Sequence, residues 1–397
     1  MERKKRKWFL LVLLGLIGLC LSFVVITAIM NLFIPDNSKS PDRLSEEMIT
    51  HVLEAEHLKQ QVGDQVFPGF QSAEIPTLLF NEQHAFLLDM QNPATGWTRV
   101  PQGSQRGGEW QPMPALDAYP QEAYYRTDYD NADPDQGPDA FTVRIGENYV
   151  TSLPTAEWFR LDLMNQFRND LPDFLKPVFP YRLIAYIFFP NTDTYLSLIH
   201  HESFHSYQAI WAPERFDQAE WDGIQLGDQY PWYDQSGIDA WQTELDLLQA
   251  ALKAEDEETV QQLAQQFLDQ RTTRRRLMNL SADLIRYENQ REWVEGMARY
   301  AELETWRLAS LDENYQPLDE IQKDSKFKDY RTFRDRWSRE LDQIPRMATN
   351  EGDGRFYYTG MAQAYILDQL HPSWKLTLAA DPMLNLEDLL EQAMTVE

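Results

Sequence analysis

The stretch His201-Glu202-Ser203-Phe204-His205 decides how the rest of the chain is interpreted. On a helix, residues four positions apart lie on one face, so His201 and His205 could offer imidazole nitrogens to one metal ion. Glu202 projects beside that face, where its carboxylate could take a proton from a water at that ion. Because the chain has only seven histidines, chance would produce such a match in roughly one chain in a hundred. The spacing predicts a metal site with Glu202 as general base.

The residues around this motif predict a helix that follows a strand. Polar residues 191–193 could cap the helix, since their side chains accept hydrogen bonds from N–H groups of the first turn. Apolar residues then recur at helical spacing, with no proline before Pro213. The preceding run 181–189 (YRLIAYIFF) ends at Pro190 and predicts a strand. A strand followed by a helix that carries both histidines is the layout of the zincin metallopeptidases, which this segment resembles.

The third metal ligand does not follow from the short-spacing zincins. A catalytic zinc site has three protein ligands and one open position. The metzincin pattern would require a histidine where Trp211 stands. Thermolysin-like patterns would require a glutamate about twenty residues after His205, near Ile224 and Gln225. Both patterns fail, so the best candidate lies further along the chain.

The segment 293–300 (WVEGMARY) is similar to the E-G-x-A-x-Y signature by which many gluzincin-type peptidases supply a glutamate ligand from a second helix. This resemblance implies Glu295 as the third ligand beside His201 and His205, with Glu292, one turn earlier, as the alternative. Small residues at positions 296 and 298 would let this helix approach the histidine-bearing helix closely.

The resemblance covers residues 181–308 and implies more than a ligand set. It implies a zincin-like α+β fold, with a mixed or antiparallel sheet first and a mainly helical, metal-binding part after it. It also implies Zn²⁺ as cofactor and a peptide or protein as substrate. Related enzymes often bind the reaction's oxyanion with a Tyr, His or Arg from a later segment. The candidates here are Arg355, Tyr357, Tyr358 and His371, of which we take Tyr357 and Tyr358 as catalytic.

The same residues also have ordinary explanations. Histidines on a helix are often surface or partner-paired residues, and His200 lies about 100° around the helix from its neighbour, where packing is expected. An acidic run on one helix is usually a solvated face. Here that run comprises Glu288, Glu292, Glu295, Glu302 and Glu304.

The N-terminus predicts a membrane anchor. Residues 1–7 carry five basic side chains, whereas the 27 residues 8–34 carry no charge. As a helix the uncharged segment would be about 40 Å long, enough to cross a hydrocarbon core of about 30 Å with tilt. The basic residues predict a cytoplasmic N-terminus, with everything after Ile34 outside the cell membrane. A cleaved signal peptide is the alternative, although residues 26–31 (ITAIMN) offer a poor cleavage site.

The net charge and the cysteine content exclude one class of partner and one class of catalytic mechanism. The first 34 residues hold five of the 36 basic and one of the 63 acidic residues, so the remainder carries 31 basic against 62 acidic residues, a net charge of −31. Such a surface repels polynucleotides, so no nucleic-acid partner is expected. The single cysteine, Cys20, lies within the apolar segment, which excludes a cysteine nucleophile from the rest of the chain.

The remaining pattern divides the chain into parts. Residues 35–45 predict a polar stalk, 46–190 an α+β part with a long loop insert at 92–138, and 191–397 a mainly helical part. Expected elements are a hairpin at 75–90, a strand at 141–150, and helices at 46–61, 155–169, 241–254, 258–274, 272–308 and 361–370.

Two features favour rival functions. Aromatic residues cluster after the motif and could bind sugar rings, which would make the chain a cell-wall glycan-binding module. These residues are Trp211, Trp221, Tyr230, Trp232 and Tyr233. A second rival is a catalytically inactive zinc-containing surface domain that binds a partner. Acidic residues at 128–139 suggest calcium binding, but their spacing departs from an EF-hand loop, and an acidic surface loop is the better interpretation.

Overall fold

A mixed sheet from the first half of the chain is joined to helices from the second half, which makes the fold α+β as expected. The computed structural model describes residues 2–114, 123–129, 137–138, 140–189, 191–233 and 235–395, with the side chains of 2–7, 9 and 10 left out. The strands are β1 (Thr77–Phe80), β2 (His84–Leu88), β3 (Thr98–Arg99), β4 (Gln111–Pro112), β5 (Tyr124–Asp128), β6 (Phe141–Ile145) and β7 (Asn148–Pro154).

The helices of the described residues run from the N-terminal apolar segment to the C-terminal end. They are α1 (Glu2–Asn31), α2 (Glu46–Val66), α3 (Ala156–Asp170), α4 (Tyr181–Phe188), α5 (Thr192–Trp211), α6 (Pro213–Leu226), α7 (Gln235–Lys253), α8 (Glu257–Leu277), α9 (Ala282–Arg291), α10 (Met297–Leu311), α11 (Phe333–Gln343), α12 (Gly354–Leu370), α13 (Trp374–Ala380) and α14 (Leu386–Thr395). A π-helical turn, Glu292–Gly296, joins α9 to α10.

The sheet has the order β3-β6-β7-β1-β2-β5-β4, and only the β1–β7 pair is parallel. The predicted hairpin at 75–90 is confirmed as β1 and β2, whose turn is fixed by Asn81, because its side-chain oxygen accepts hydrogen bonds from the N–H groups of Gln83 and His84. The strand expected at 141–150 is a second hairpin, β6–β7, which turns at Gly146 with φ of 61°. The loop insert contains β3, β4 and β5.

The strand predicted at 181–189 is wrong, since this run forms helix α4. Tyr181 and Ala185, one helical turn apart, are buried against α3, whereas Leu183 between them is 49% exposed. A strand would place all three of these side chains on one face, and a helix does not. Local β propensity therefore yields to tertiary packing. The strands beside the histidine-bearing helix are instead β6 and β7, where Thr142 and Thr151 each place a hydroxyl within 3.1 Å of the Ser206 hydroxyl.

The segment 35–45 is not a free stalk. Ser38 and Leu44 are buried, and the Ser38 N–H donates a 2.6 Å hydrogen bond to Glu82. The Leu44 N–H donates to the Tyr124 hydroxyl at 3.0 Å. The polar composition led to the wrong prediction because the hydrogen-bonding groups of such residues can bond to the domain surface as well as to water.

The expected helix at 272–308 is interrupted. Helix α8 ends at Leu277, Asn279 takes a left-handed φ of 50°, and Ser281 caps α9 by accepting a hydrogen bond from the Leu284 N–H. The expected helical pair is confirmed as α7 and α8, which lie between the two segments that carry the ligand candidates.

Glycines bring the π-helical turn against α12 rather than against α5. A Cβ on Gly296 would lie 2.4 Å from the Gly360 Cα, and a Cβ on Gly360 would lie 2.5 Å from the Glu292 carbonyl oxygen. Gly296 therefore has the close-packing role expected of it, but its partner is α12 and not the histidine-bearing helix. This backbone contact brings the first turns of α12 to the segment that carries Glu295.

Gly360→Ala tests that contact. The added methyl group has no room beside the Glu292 carbonyl, so we expect a loss of about 1–3 kcal/mol of stability, seen as a lower melting temperature of the full chain. Gly227→Ala is the control, because Gly227 has a helical φ of −54° and its Cβ would meet only the Tyr287 hydroxyl, at 3.6 Å. Equal melting temperatures for both variants would contradict the close contact.

Candidate metal centre

Helix α5 presents the two histidines as the spacing predicts. Asn191 caps the helix by accepting a 3.0 Å hydrogen bond from the Thr194 N–H, and the helix continues unbroken past both histidines. The Nε2 atoms of His201 and His205 lie 3.1 Å apart, and both side chains are buried. The pair therefore aims two imidazole nitrogens at one point on the helix face.

Glu295 completes the group from the π-helical turn. Its Oε2 lies 3.7 Å from the Nε2 of His201 and 3.3 Å from the Nε2 of His205, and its side chain is 6% exposed. Three ligands of a tetrahedral zinc ion, each about 2.0–2.1 Å away, would lie about 3.3 Å from one another. The observed separations bracket this value. Among the described residues Glu295 Oε2 has no hydrogen-bond partner, as a vacant ligand atom should. His201, His205 and Glu295 could therefore hold a metal ion.

Glu292, the alternative ligand, is occupied elsewhere. Both of its carboxylate oxygens bond to Arg271, and they also accept hydrogen bonds from Thr359 at 2.5 Å and Gln363 at 2.9 Å. Both oxygens of Glu292 are thus occupied by donors on α8 and α12, and neither is available to a metal ion. The two glutamates point to different partners, and only Glu295 faces the histidines.

Two polar residues, Glu302 and Gln208, lie beside the outer ring nitrogens of the imidazoles, a role that the sequence did not predict for either of them. Gln208 Oε1 lies within hydrogen-bond distance of the His205 Nδ1, at 3.2 Å. Glu302 Oε2 lies 3.4 Å from the His201 Nδ1, a charge contact without hydrogen-bond geometry. An acceptor or negative charge beside the outer ring nitrogen favours a proton there, which leaves Nε2 to face a metal. A signal existed in the sequence, since Gln208 follows His205 by three positions and Glu302 follows Glu295 by seven, two helical turns on.

Arginines compensate the buried carboxylates. Arg291 donates a 2.5 Å hydrogen bond to Glu295 Oε1 and also bonds to Glu220 and Asp353. Although burial acts to raise it, His205 and Arg291 hold the pKa of Glu295 well below its usual range. Burial alone would lower the pKa of His201, but the nearby carboxylates of Glu295 and Glu302 raise it to about 10. The two carboxylates therefore favour positive charge at His201, whereas burial lowers the pKa of His205.

Glu202 lies beside this group with one oxygen unused. Its side chain is 7% exposed, and its Oε2 has no hydrogen-bond partner in the part of the chain that the structure describes. Burial raises the pKa of Glu202 to about 7. The negative charges of Glu295 and Glu302 act in the same direction, and the charge of His201 acts against them. A carboxylate in this environment can accept a proton and release it again.

The structure separates the two predicted tyrosines. The Tyr357 ring stacks on His201, with ring centroids 5.6 Å apart and planes within 5°. Burial and the carboxylates of Glu295 and Glu202 raise the Tyr357 pKa well above its ordinary value, so the hydroxyl stays protonated. Tyr358 is not brought to this group, because its hydroxyl donates to Glu340 at 2.9 Å. Adjacent positions on α12 point about 100° apart, which accounts for the difference.

The other candidates are structural or lie apart. Arg355 is buried and donates hydrogen bonds to backbone carbonyls of Trp232, Met347 and Ala348. The structure gives His371 no contact with the histidine pair; its backbone N–H closes the end of α12. His200 packs as expected, and burial, with Lys59 nearby, lowers its pKa to about 3.

The acidic run is not a solvated face. All five of its glutamates are buried, and each faces an arginine within 2.7 Å. The pairs are Glu288–Arg275, Glu292–Arg271, Glu295–Arg291, Glu302–Arg299 and Glu304–Arg307. A sequence shows the acidic residues but not which arginines fold against them.

The aromatic residues after the motif do not share one surface. Tyr230 is buried and donates its hydroxyl to Glu288, and Trp232 packs with it against Phe356. Trp211 packs on Phe67, whereas Tyr233 is exposed and bonds to Glu351. The calcium hypothesis concerns Asp130, Asp133, Asp135 and Asp139, which lie outside the described residues, and Asp128, which pairs with His84.

A second group of possible ligands lies between α2 and the loop before α11. It comprises Glu47, His51 and Asp324. Lys326 lies 3.4 Å from Glu47, and Arg160 interacts with both carboxylates of the group. These two cations already balance the two negative charges, so the group is weaker as a cation site than the one on α5.

Comparisons with known proteins add no relative: no family model, no curated protein and no solved structure matches the chain.

Replacing Glu302 tests the orienting role assigned to it. Glu302→Gln removes the charge that faces His201 Nδ1, so we expect zinc affinity to fall about 10- to 100-fold. Competition with a fluorescent chelator measures this on the full chain. Glu304→Gln is a matched control, because Glu304 is equally buried on the same helix but pairs with Arg307. Equal zinc affinities in the two variants would show that Glu302 does not orient the ligand.

Proposed function

We propose that the chain is a membrane-anchored zinc hydrolase, most consistent with a metallopeptidase that cleaves peptide bonds outside the cytoplasm. The observation that carries the proposal is the juxtaposition of three buried ligand atoms with a separate buried carboxylate. His201, His205 and Glu295 supply the ligand atoms, and Glu202 keeps an oxygen without a partner among the described residues. A purely structural metal site has no use for that fourth group.

Zinc fits the donor set best. Two imidazoles and one carboxylate are donors that catalytic zinc sites use, and three protein ligands leave one position open. The absence of a described thiol near the group argues against a structural Cys-rich site, since the sole cysteine lies in α1. When bound, zinc would polarise a substrate carbonyl and make a water more acidic.

Glu202 and Tyr357 account for the proton and charge movements. Glu202 would take a proton from the attacking water as the new carbon–oxygen bond forms, and would pass it to the amide nitrogen as the carbon–nitrogen bond breaks. The Tyr357 hydroxyl, which stays protonated, would donate a hydrogen bond to the oxygen that becomes negative. Glu302, Gln208 and Arg291 would hold the ligands in place and perform no chemistry themselves.

The N-terminal helix supports the proposed location. Residues Leu11–Asn31 of α1 are long and apolar enough to cross a membrane, and the rest of the chain leaves them almost uncovered. The same finding is compatible with a signal sequence. We favour an anchor with a cytoplasmic N-terminus because of the basic residues before the apolar segment.

Glu202→Gln and two tyrosine variants test the chemistry. Without a base at position 202, cleavage of a mixed peptide library should fall about 10²- to 10⁴-fold, while bound zinc is retained. Tyr357→Phe should lower turnover about 10²- to 10³-fold, whereas Tyr358→Phe should leave it near the wild-type rate, since Tyr358 bonds to Glu340.

Mass spectrometry of the cleaved library measures all three variants against the wild type. Cleavage by Glu202→Gln at the wild-type rate would contradict the mechanism. If Tyr358→Phe loses turnover and Tyr357→Phe does not, the charge-stabilising role belongs to Tyr358 and the proposed role of Tyr357 is wrong.

A further inference from the structure

An exposed apolar surface lies directly at the end of the N-terminal helix. Helix α4 turns its outer face to solvent, with Ile187 61% exposed. We call this the α4 surface and define it by Leu32, Phe33, Phe174, Leu175, Leu183, Tyr186, Ile187 and Phe188, all of them exposed. Contiguous apolar surface of this kind is rare on soluble domains and marks a contact with a partner or a lipid phase.

The surface is joined to α1 by direct contacts. The Asn31 side chain donates hydrogen bonds to the Pro177 and Phe179 carbonyls at 3.0 and 2.9 Å, and Arg182 donates one to the Phe33 carbonyl at 2.6 Å. Ile34 is buried in the same small core as Tyr181 on the inner face of α4. No flexible linker separates the apolar helix from α4.

This connection determines what covers the surface. If α1 crosses a bilayer, its last residue lies at the boundary of the hydrocarbon region, and a rigidly attached helix must lie at that boundary too. We propose that the α4 surface is embedded in the outer leaflet of the membrane and seats the domain on it, with zwitterionic lipid as the partner. The proposal rests on α1 being a membrane anchor.

The chemistry of α4 fits a helix that lies in the plane of the interface. Its inner face is buried on α3, and its outer face is apolar and aromatic. The nearby cations are already paired, since Arg182 donates to the Phe33 carbonyl and Lys176 pairs with Asp173. Because residues 35–397 carry a net charge of −31, attraction to anionic lipid cannot drive the contact, and burial of apolar area must.

Embedding of the α4 surface in the membrane would limit the distance between the metal centre and the membrane. Thr192, the first residue of α5, follows Phe188 by four positions, and His201 follows Thr192 by nine. At most about 3.6 Å per extended residue and about 1.5 Å per helical residue, this places His201 within about 30 Å of the α4 surface.

Depth-dependent quenching of a fluorophore tests the proposal on the full chain in phosphatidylcholine vesicles. In a Cys20→Ser background, Ile187→Cys is labelled, and nitroxide lipids spin-labelled near the headgroup end of the acyl chain act as quencher. Leu376→Cys is the matched control, because Leu376 is equally apolar and 65% exposed on α13. The native chain labelled at Cys20, with lipids spin-labelled near the methyl end of the acyl chain, reports whether α1 itself is in the bilayer, because Cys20 lies near the middle of the span.

We expect the Ile187 label to be quenched several-fold more than the Leu376 label, with Cys20 also quenched. Quenching at Cys20 without quenching at Ile187 would overturn the seating of α4 while leaving the anchor intact. An Ile187 label with blue-shifted emission but no quenching would show that a second copy of the chain covers the surface. No quenching at any position would overturn the anchor and the seating together.

Discussion

Burial of carboxylates beside arginines is the constraint on which the rest of the structure depends. Five glutamates between positions 288 and 304 are withdrawn from water, and each requires a cation because an unpaired buried charge costs several kcal/mol. Arginines at fixed positions pair with these glutamates, and this pairing determines which carboxylate oxygens remain available to a metal ion. Arg271 and two neutral donors use both oxygens of Glu292, whereas Arg291 uses only Oε1 of Glu295. The remaining oxygen, Oε2, faces His201 and His205.

Backbone geometry then brings the other half of the site to this oxygen. The π-helical turn 292–296 separates the directions of Glu292 and Glu295, and π-helical turns of this kind often occur at functional positions. The glycine contact at Gly360 lets α12 approach that turn, which places Tyr357 against the His201 ring. The π-helical turn and α12, both far from α5 in sequence, therefore converge on the histidine-bearing helix.

Sequence reasoning predicts the local parts of this arrangement and not the convergence. Helical spacing predicts that His201 and His205 share one face, and the resemblance of segment 293–300 to a known signature implies Glu295 rather than Glu292. The structure brings these three residues together. The strand predicted at 181–189 is a helix, because one buried stripe outweighs β propensity. The sequence did not predict the roles of Glu302 and Gln208, because these roles depend on packing between helices. It also could not distinguish Tyr358 from Tyr357, because that depends on how α12 is rotated about its axis.

The most direct test of the account is the metal content of the full chain. Elemental mass spectrometry after supply of zinc should give about one zinc per chain for the wild type and for Glu304→Gln, a buried glutamate that faces away from the histidines. His205→Ala and Glu295→Gln should both lose that zinc, because each removes one of the three converging ligand atoms. A wild type that binds no zinc, or a Glu295→Gln variant that binds as much as the wild type, would contradict the central claim.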